Sequence, residues 1–162
     1  MCIELFPNIS MSARLFVYIS NQTLSNEVAS DFLKSTEKFI STWKAHGTKL
    51  DASLILIANR VLFIAVDEQS QTATGCSIDS LNRFLQLSNI DWFTRNWVLY
   101  NKDSKSLESN WIIAELNEFH KGLKSGQIPF DLYILNTTVL NVEEARKNLV
   151  QPLSESWHMR ML

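Results

Sequence analysis

Apolar residues follow two rhythms along this chain. Arg14 to Ser20 (Arg-Leu-Phe-Val-Tyr-Ile-Ser) is a dense run of β-branched and aromatic residues, which predicts a buried strand. Asn21-Gln22-Thr23 reads as a turn, and Ser25 can cap a helix behind it. From about Asn26 to Ala45 the rhythm changes. Val28, Phe32, Phe39 and Trp43 fall at i, i+4, i+11 and i+15, with Leu33 and Ile40 widening the stripe; this predicts a helix, with Gly47 as its C-terminal stop. Leu50 to Ala58 and Val61 to Val66 are apolar runs around Asn59-Arg60 and predict an antiparallel hairpin. A polar loop, Glu68 to Thr74, leads into a second helix opening at Cys76 or Ser77. Ile78, Leu81 and Leu85 form its apolar face, and it fades near Asn89.

Arg95 to Tyr100 predicts a fourth strand. A third helix is expected over 107–123, on the spacing of Ile112, Leu116, Phe119 and Leu123, ended by Gly126 and Pro129. Asp131 to Leu135 reads as a short strand. Asn141 with Glu144 has the form of an N-cap and its capping-box partner, opening a short helix to about Val150. In the tail, Leu153, Trp157 and Met161 stand at i, i+4 and i+8, a spacing that places them on one helical face against the body.

The order through Tyr100 is β-α-β-β-α-β. That is the order of a ferredoxin-like, split βαβ core: an α+β fold with an antiparallel sheet of at least four strands and helices on one face. The C-terminal elements would extend or cover it. The helices over 26–45 and 107–123 should be the two longest. The chain of 162 residues suits one domain over 11–162, with 1–10 as a disordered leader and Met11 as an alternative start. With 46% hydrophobic residues, such a domain needs no disulfide or metal staple.

A formal net charge of −2 removes the basic footprint expected of a nucleic-acid binder. The longest apolar runs are too short to span a bilayer, and Met1 to Pro7 lacks the pattern of a secretory signal. Neither nucleic acid nor membrane is therefore an expected partner. Cys2 and Cys76, the only cysteines, fit a reducing, cytoplasmic setting. Five tryptophans and a small net charge point to a homodimer. Trp92-Phe93, set in a loop, suits a surface for a small ligand or a partner.

Candidate chemistry gathers at Thr74-Gly75-Cys76-Ser77-Ile78-Asp79-Ser80. At a helix start the free N–H groups and the dipole favour a thiolate, so Cys76 is a candidate nucleophile, with His46 or His158 as base and Asp79 orienting. A small, inert cysteine is the plainer explanation. Gly75 and Ser77 at the same junction could help hold an anion through main-chain N–H groups. Asp67, Glu68 and Asp79 are oxygen donors that could face a hard cation, although capping and loop solvation account for them better and no metal is expected. Neither phosphate-loop signature occurs. Lys121-Gly122-Leu123-Lys124-Ser125-Gly126 has the composition of one, but it closes a helix instead of opening one. No cofactor is expected.

Trp43-Lys44-Ala45-His46-Gly47, Val66-Asp67-Glu68, Gly75 to Ser80 and the terminal Ser156-Trp157-His158-Met159-Arg160 occur in this order in an uncharacterised family of small bacterial proteins. The chain resembles that family from about Arg14 to its end. Some members are labelled ABC transporter ATPase, a label that the missing phosphate loop does not support. The resemblance implies no established activity; it implies that His46, Cys76, Asp79 and His158 belong to one site. Three functions follow: a domain acting by binding or assembly, a thiol-dependent enzyme using Cys76 with a histidine base, or an anion or nucleotide binder at the Cys76 helix start.

Overall fold

A computed structural model describes residues 4–103 and 105–162; Cys2 lies outside them. In chain order the elements are β1 (Arg14–Ile19), α1 (Asn26–Ser41), β2 (Lys44–Ala45), β3 (Thr48–Lys49), β4 (Asp51–Ile57), β5 (Val61–Asp67), α2 (Gly75–Gln86), β6 (Trp97–Asn101), β7 (Ile112–Glu115), α3 (Leu116–Ser125), β8 (Tyr133–Leu135), α4 (Val142–Asn148) and β9 (Val150–Pro152). Two 3-10 turns, Leu153–Glu155 and Trp157–Met161, follow. The fold is α+β and its sheets are antiparallel. One sheet has the order β1-β5-β4, the other β7-β6-β8-β9, and β2-β3 is a separate hairpin.

β5 organises the molecule. Val61 through Val66 are at most 1% exposed, so both faces of this strand are covered. Because side chains alternate along a strand, the run serves two cores. Leu62, Ile64 and Val66 pack with Phe32 and Ile40 of α1 and Leu81 and Leu85 of α2. Val61, Phe63 and Ala65 join a cluster with Leu99, Leu135 and Val150 of the second sheet and Val142 and Ala145 of α4. The second sheet's other face, through Val98, Tyr100 and Ile134, packs on Phe119 and Leu123 of α3. The layers thus run helices, sheet, sheet, helix. At about 1.5–3 kcal/mol for each fully buried large side chain, these interfaces hold the fold.

The first three long strands take the order that a split βαβ unit requires, with β5 inserted between β1 and β4. The fourth strand meets β1 only through an isolated bridge, Ile19 with Thr94, before entering the second sheet as β6.

Several expectations are corrected. α1 ends at Ser41 instead of Ala45, because Thr42 caps it and residues 44–49 form a hairpin. His46 and Gly47 are the two turn residues, with φ of 50° and 76°, the positive pair that a two-residue hairpin loop demands. Gly47 therefore starts no helix cap. The helix expected over 107–123 is half strand. β7 occupies its first part, and Glu115 caps α3 by accepting from the N–H groups of Asn117 and Glu118. The longest helices are α1 and α2. Residues 4–10 are no frayed leader: Leu5, Phe6 and Ile9 are buried, and the Arg146 guanidinium donates to the carbonyls of Leu5 and Phe6 at 2.8 and 2.9 Å. In the tail, Leu153 is buried and Met161 is 57% exposed, because a 3-10 turn does not keep the i, i+4 alignment of an α-helix.

Candidate functional site: a groove on the outer edge of β1

β1 pairs with β5 on one side only. Ser20 N–H donates to the Arg60 carbonyl, whereas Leu15 N–H donates away from β5 to the Leu140 carbonyl at 2.9 Å. Even-numbered residues therefore bond into the sheet, and Leu15, Val17 and Ile19 turn their main-chain groups outward. At the far end the Thr94 hydroxyl donates to the Ile19 carbonyl at 2.8 Å. Both ends of the edge are clamped, and the outward groups of Val17 lie between the clamps.

A groove of about 620 Å³ runs along this edge. Its ends are Trp92 to Arg95 and Thr137 to Leu140; Ile78 and Asn82 of α2 and Trp157 complete the wall. The Tyr18 hydroxyl donates to Asn82 Oδ1 at 2.9 Å, and the Phe93 ring stands edge-on to the Tyr18 ring at 5.8 Å. Burial pushes the Tyr18 hydroxyl up to about 12, against the opposing pull of Arg95 and Arg14. Tyr18 is thus a neutral hydrogen-bonding group at any physiological pH. Among the lining residues Arg95 alone carries a charge; the rest of the wall is aliphatic, aromatic, hydroxyl or amide. The Trp92 indole N–H, buried in this wall, has no hydrogen-bond partner among the described residues.

Trp157 is held in place by a histidine pair. Its ring stacks on buried His158 at 4.1 Å, and His158 Nδ1 lies 3.0 Å from His120 Nε2. Burial, then His120, lowers His158 to about 4; burial, then Lys124, lowers His120. Two neutral rings sharing one N–H satisfy this contact.

Cys76 sits where the sequence places it, on the second residue of α2, and it is exposed. Thr74 and Ser77 close a reciprocal capping box beside it: Thr74 Oγ1 accepts from Ser77 N–H at 3.2 Å and Ser77 Oγ accepts from Thr74 N–H at 2.7 Å. Ser77 is consequently committed to the cap. Gly75 is exposed, and a side chain there would meet nothing within 4 Å. Asp67 and Glu68 fold their own loop, accepting from the N–H groups of Gln69 and Ala73. Asp79 is exposed on the first turns of α2. The Trp43 indole donates to the Ser77 carbonyl at 2.8 Å, which ties the chain beside the His46 turn to the start of α2. Among the described residues no hydrogen bond or ring contact joins Cys76 to His46 or His158, and His158 spends its Nδ1 on His120. No group of three or more His, Cys, Asp and Glu side chains among them could hold a metal ion. No helix among them is long and apolar enough to cross a membrane.

No family model, curated protein or solved structure matches the chain.

Of the groove residues, the sequence offers the Trp92-Phe93 pair as a surface and Trp157 as a tail contact. Phe93 is 44% exposed, whereas Trp92 is fully buried against Phe32. Tyr18, Asn82, Arg95 and Thr138 carry no local signal, because four separate segments bring them together.

Proposed function

We propose that the protein is a binding domain, and that its ligand is a compact molecule with an apolar, preferably aromatic, body and one anionic group. The observation that carries this reading is the composition of the β1 groove. One guanidinium, Arg95, stands in a wall otherwise built from apolar, hydroxyl and amide groups, with no carboxylate to oppose it. The volume suits a small-molecule site, and a few polar groups in an apolar wall are what orient such a ligand. Phe93 offers a ring face at the rim, and the Asn82 amide, its oxygen engaged by Tyr18, has N–H groups to donate. The lining contains no histidine, cysteine or acidic side chain, so it supports binding better than acid–base or thiol chemistry.

The thiol-dependent reading rests on Cys76 alone, exposed on the first turn of a helix. Its check is the pH dependence of Cys76 alkylation with Cys2 replaced by serine; a midpoint near the free-thiol value of about 8.5 removes it.

The binding reading is tested by titrating the protein with phenylacetate, phenyl phosphate and neutral benzyl alcohol, read by amide chemical shifts. An anionic probe should shift the signals of Val17, Thr94, Arg95 and Thr138 and bind roughly tenfold more tightly than the alcohol, a difference Arg95→Gln should erase. Shifts scattered over the surface, or equal binding of charged and neutral probes, would overturn it.

A further inference from the structure

We infer that β4 is the seam of a homodimer, paired antiparallel with β4 of a second copy about a two-fold axis at Leu54. This is independent of the groove, which lies on the opposite edge of the same sheet.

Sheet edges invite pairing with other chains unless they are short, charged, kinked or covered. Of the four edges of the two larger sheets, three are managed in one of those ways, and the fourth, β4, is closed only just before its start, where Leu50 N–H donates to the Trp43 carbonyl. β1 is clamped by Leu140 and Thr94. β9 is three residues long and ends in Pro152, and β7 is four residues long and ends in Glu115. β4 is the exception. Its seven residues, Asp-Ala-Ser-Leu-Ile-Leu-Ile, contain no proline and no lysine, and Ala52 through Leu56 are all partly exposed.

The register fixes which groups are free. β5 turns its even-numbered residues to β1, so its odd-numbered residues bond Ile57, Ile55, Ser53 and Asp51 of β4. The N–H and C=O groups of Ala52, Leu54 and Leu56 therefore point outward, and among the described residues no hydrogen bond reaches them.

A second copy fits that set. With the axis at Leu54, Leu54 faces its own counterpart, Ala52 faces Leu56 of the partner subunit, and each of the three pairs exchanges two main-chain bonds. Ser53 falls opposite the partner's Ile55, so partly exposed apolar side chains on both faces gain cross-strand neighbours. The strand's only charge, Asp51, lies opposite the partner's Ile57. The two carboxylates then stand roughly 20 Å apart at about 3.4 Å per residue, beyond the screening length at physiological salt. The product is a continuous six-stranded sheet.

The test is the mass of the full chain by light scattering, under reducing conditions and over a wide concentration range. Two variants accompany it. Leu54→Pro removes an outward N–H without touching the β5 ladder, a position where an edge strand accepts proline. Ser53→Lys adds the charge by which natural edges are protected. The wild type should have twice the chain mass. Ser53→Lys should halve it while keeping its circular dichroism spectrum and a cooperative melt, and so should Leu54→Pro; if Leu54→Pro misfolds, Ser53→Lys decides. A monomeric wild type at every concentration would overturn the seam. So would a dimer that survives in a folded Ser53→Lys protein.

Discussion

The two edges of the β1-β5-β4 sheet have the same central strand between them and opposite fates. On β1, loops from two distant parts of the chain clamp Leu15 and Ile19, and a groove opens where Val17 is left between them. On β4, five consecutive residues are partly exposed; the chain closes only the start of the edge, where Leu50 N–H donates to the Trp43 carbonyl at 2.9 Å, and no hydrogen bond among the described residues reaches the outward main chain of Ala52, Leu54 and Leu56. An edge that the chain itself closes at both ends admits something small. An edge closed at one end only leaves room for another strand. That difference is the ground for the ligand proposed at the first edge and the second copy proposed at the second.

The comparison breaks most readily at the point where both edges are anchored. Arg60, only 6% exposed, donates from Nε to the Ser20 carbonyl at 2.7 Å, from Nη2 to the Asn21 carbonyl at 3.0 Å and from Nη1 to Thr23 Oγ1 at 3.1 Å. Its guanidinium also lies 4.4 Å above the centre of the Trp97 ring. Burial lowers its pKa from the ordinary value, but these acceptors keep the charge satisfied without a carboxylate. Arg60→Met strands those acceptors at the end of β1 and next to the β4–β5 turn. It should cost roughly 4 kcal/mol, with the melting temperature falling by about 8–16 °C in a thermal scan.

Acid should separate the two edges. His158 has a folded-state pKa of about 4, below the ordinary 6.5, so the unfolded chain takes up the proton first. Its contribution to stability is complete above about pH 6.5 and declines as the pH falls through that window towards 4. The loss should be on the order of 3 kcal/mol, measured by urea unfolding at stepped pH, and His158→Gln should flatten the profile. Because His158 carries Trp157 in the groove wall, anionic probes should weaken over the same window while the dimer mass stays constant.

A smaller change sharpens the contrast. Thr94→Val keeps the shape of the side chain and removes the hydroxyl that closes β1 at Ile19. About 1 kcal/mol of stability should be lost in denaturant titration, with no new association at β1, because the Leu140 clamp remains.

What the sequence reveals follows the same division. β1 and β5 are legible because each is a continuous run rich in β-branched and aromatic residues, although only Val61 to Val66 of β5 is buried throughout. Ser25 and Asn141 are legible as caps because capping is a local affair, whereas the Thr74 cap falls in what reads as a polar loop. β7 is hidden because Ile112 and Leu116, four apart, fit a helical stripe, although the chain changes from strand to helix between them. The hairpin at His46-Gly47 is hidden because an apolar stripe leads straight into it through Trp43, whose ring is buried and bonded to Ser77. Cys76 can be placed at a helix start from glycine, cysteine and serine ahead of an apolar face, but whether a histidine approaches it depends on packing. The groove is the least legible part, since Arg95 acquires its meaning only when Tyr18 and Thr138 arrive beside it.

The contrast between the edges is tested most directly by amide hydrogen exchange at two protein concentrations, one well above and one well below the dissociation constant of the dimer. The amides of Ala52, Leu54 and Leu56 should be protected at high concentration and exchange quickly at low concentration, while the Val17 amide exchanges at the same rate in both. Fast exchange at residues 52, 54 and 56 under both conditions, or concentration-dependent protection at Val17, would contradict the assignment.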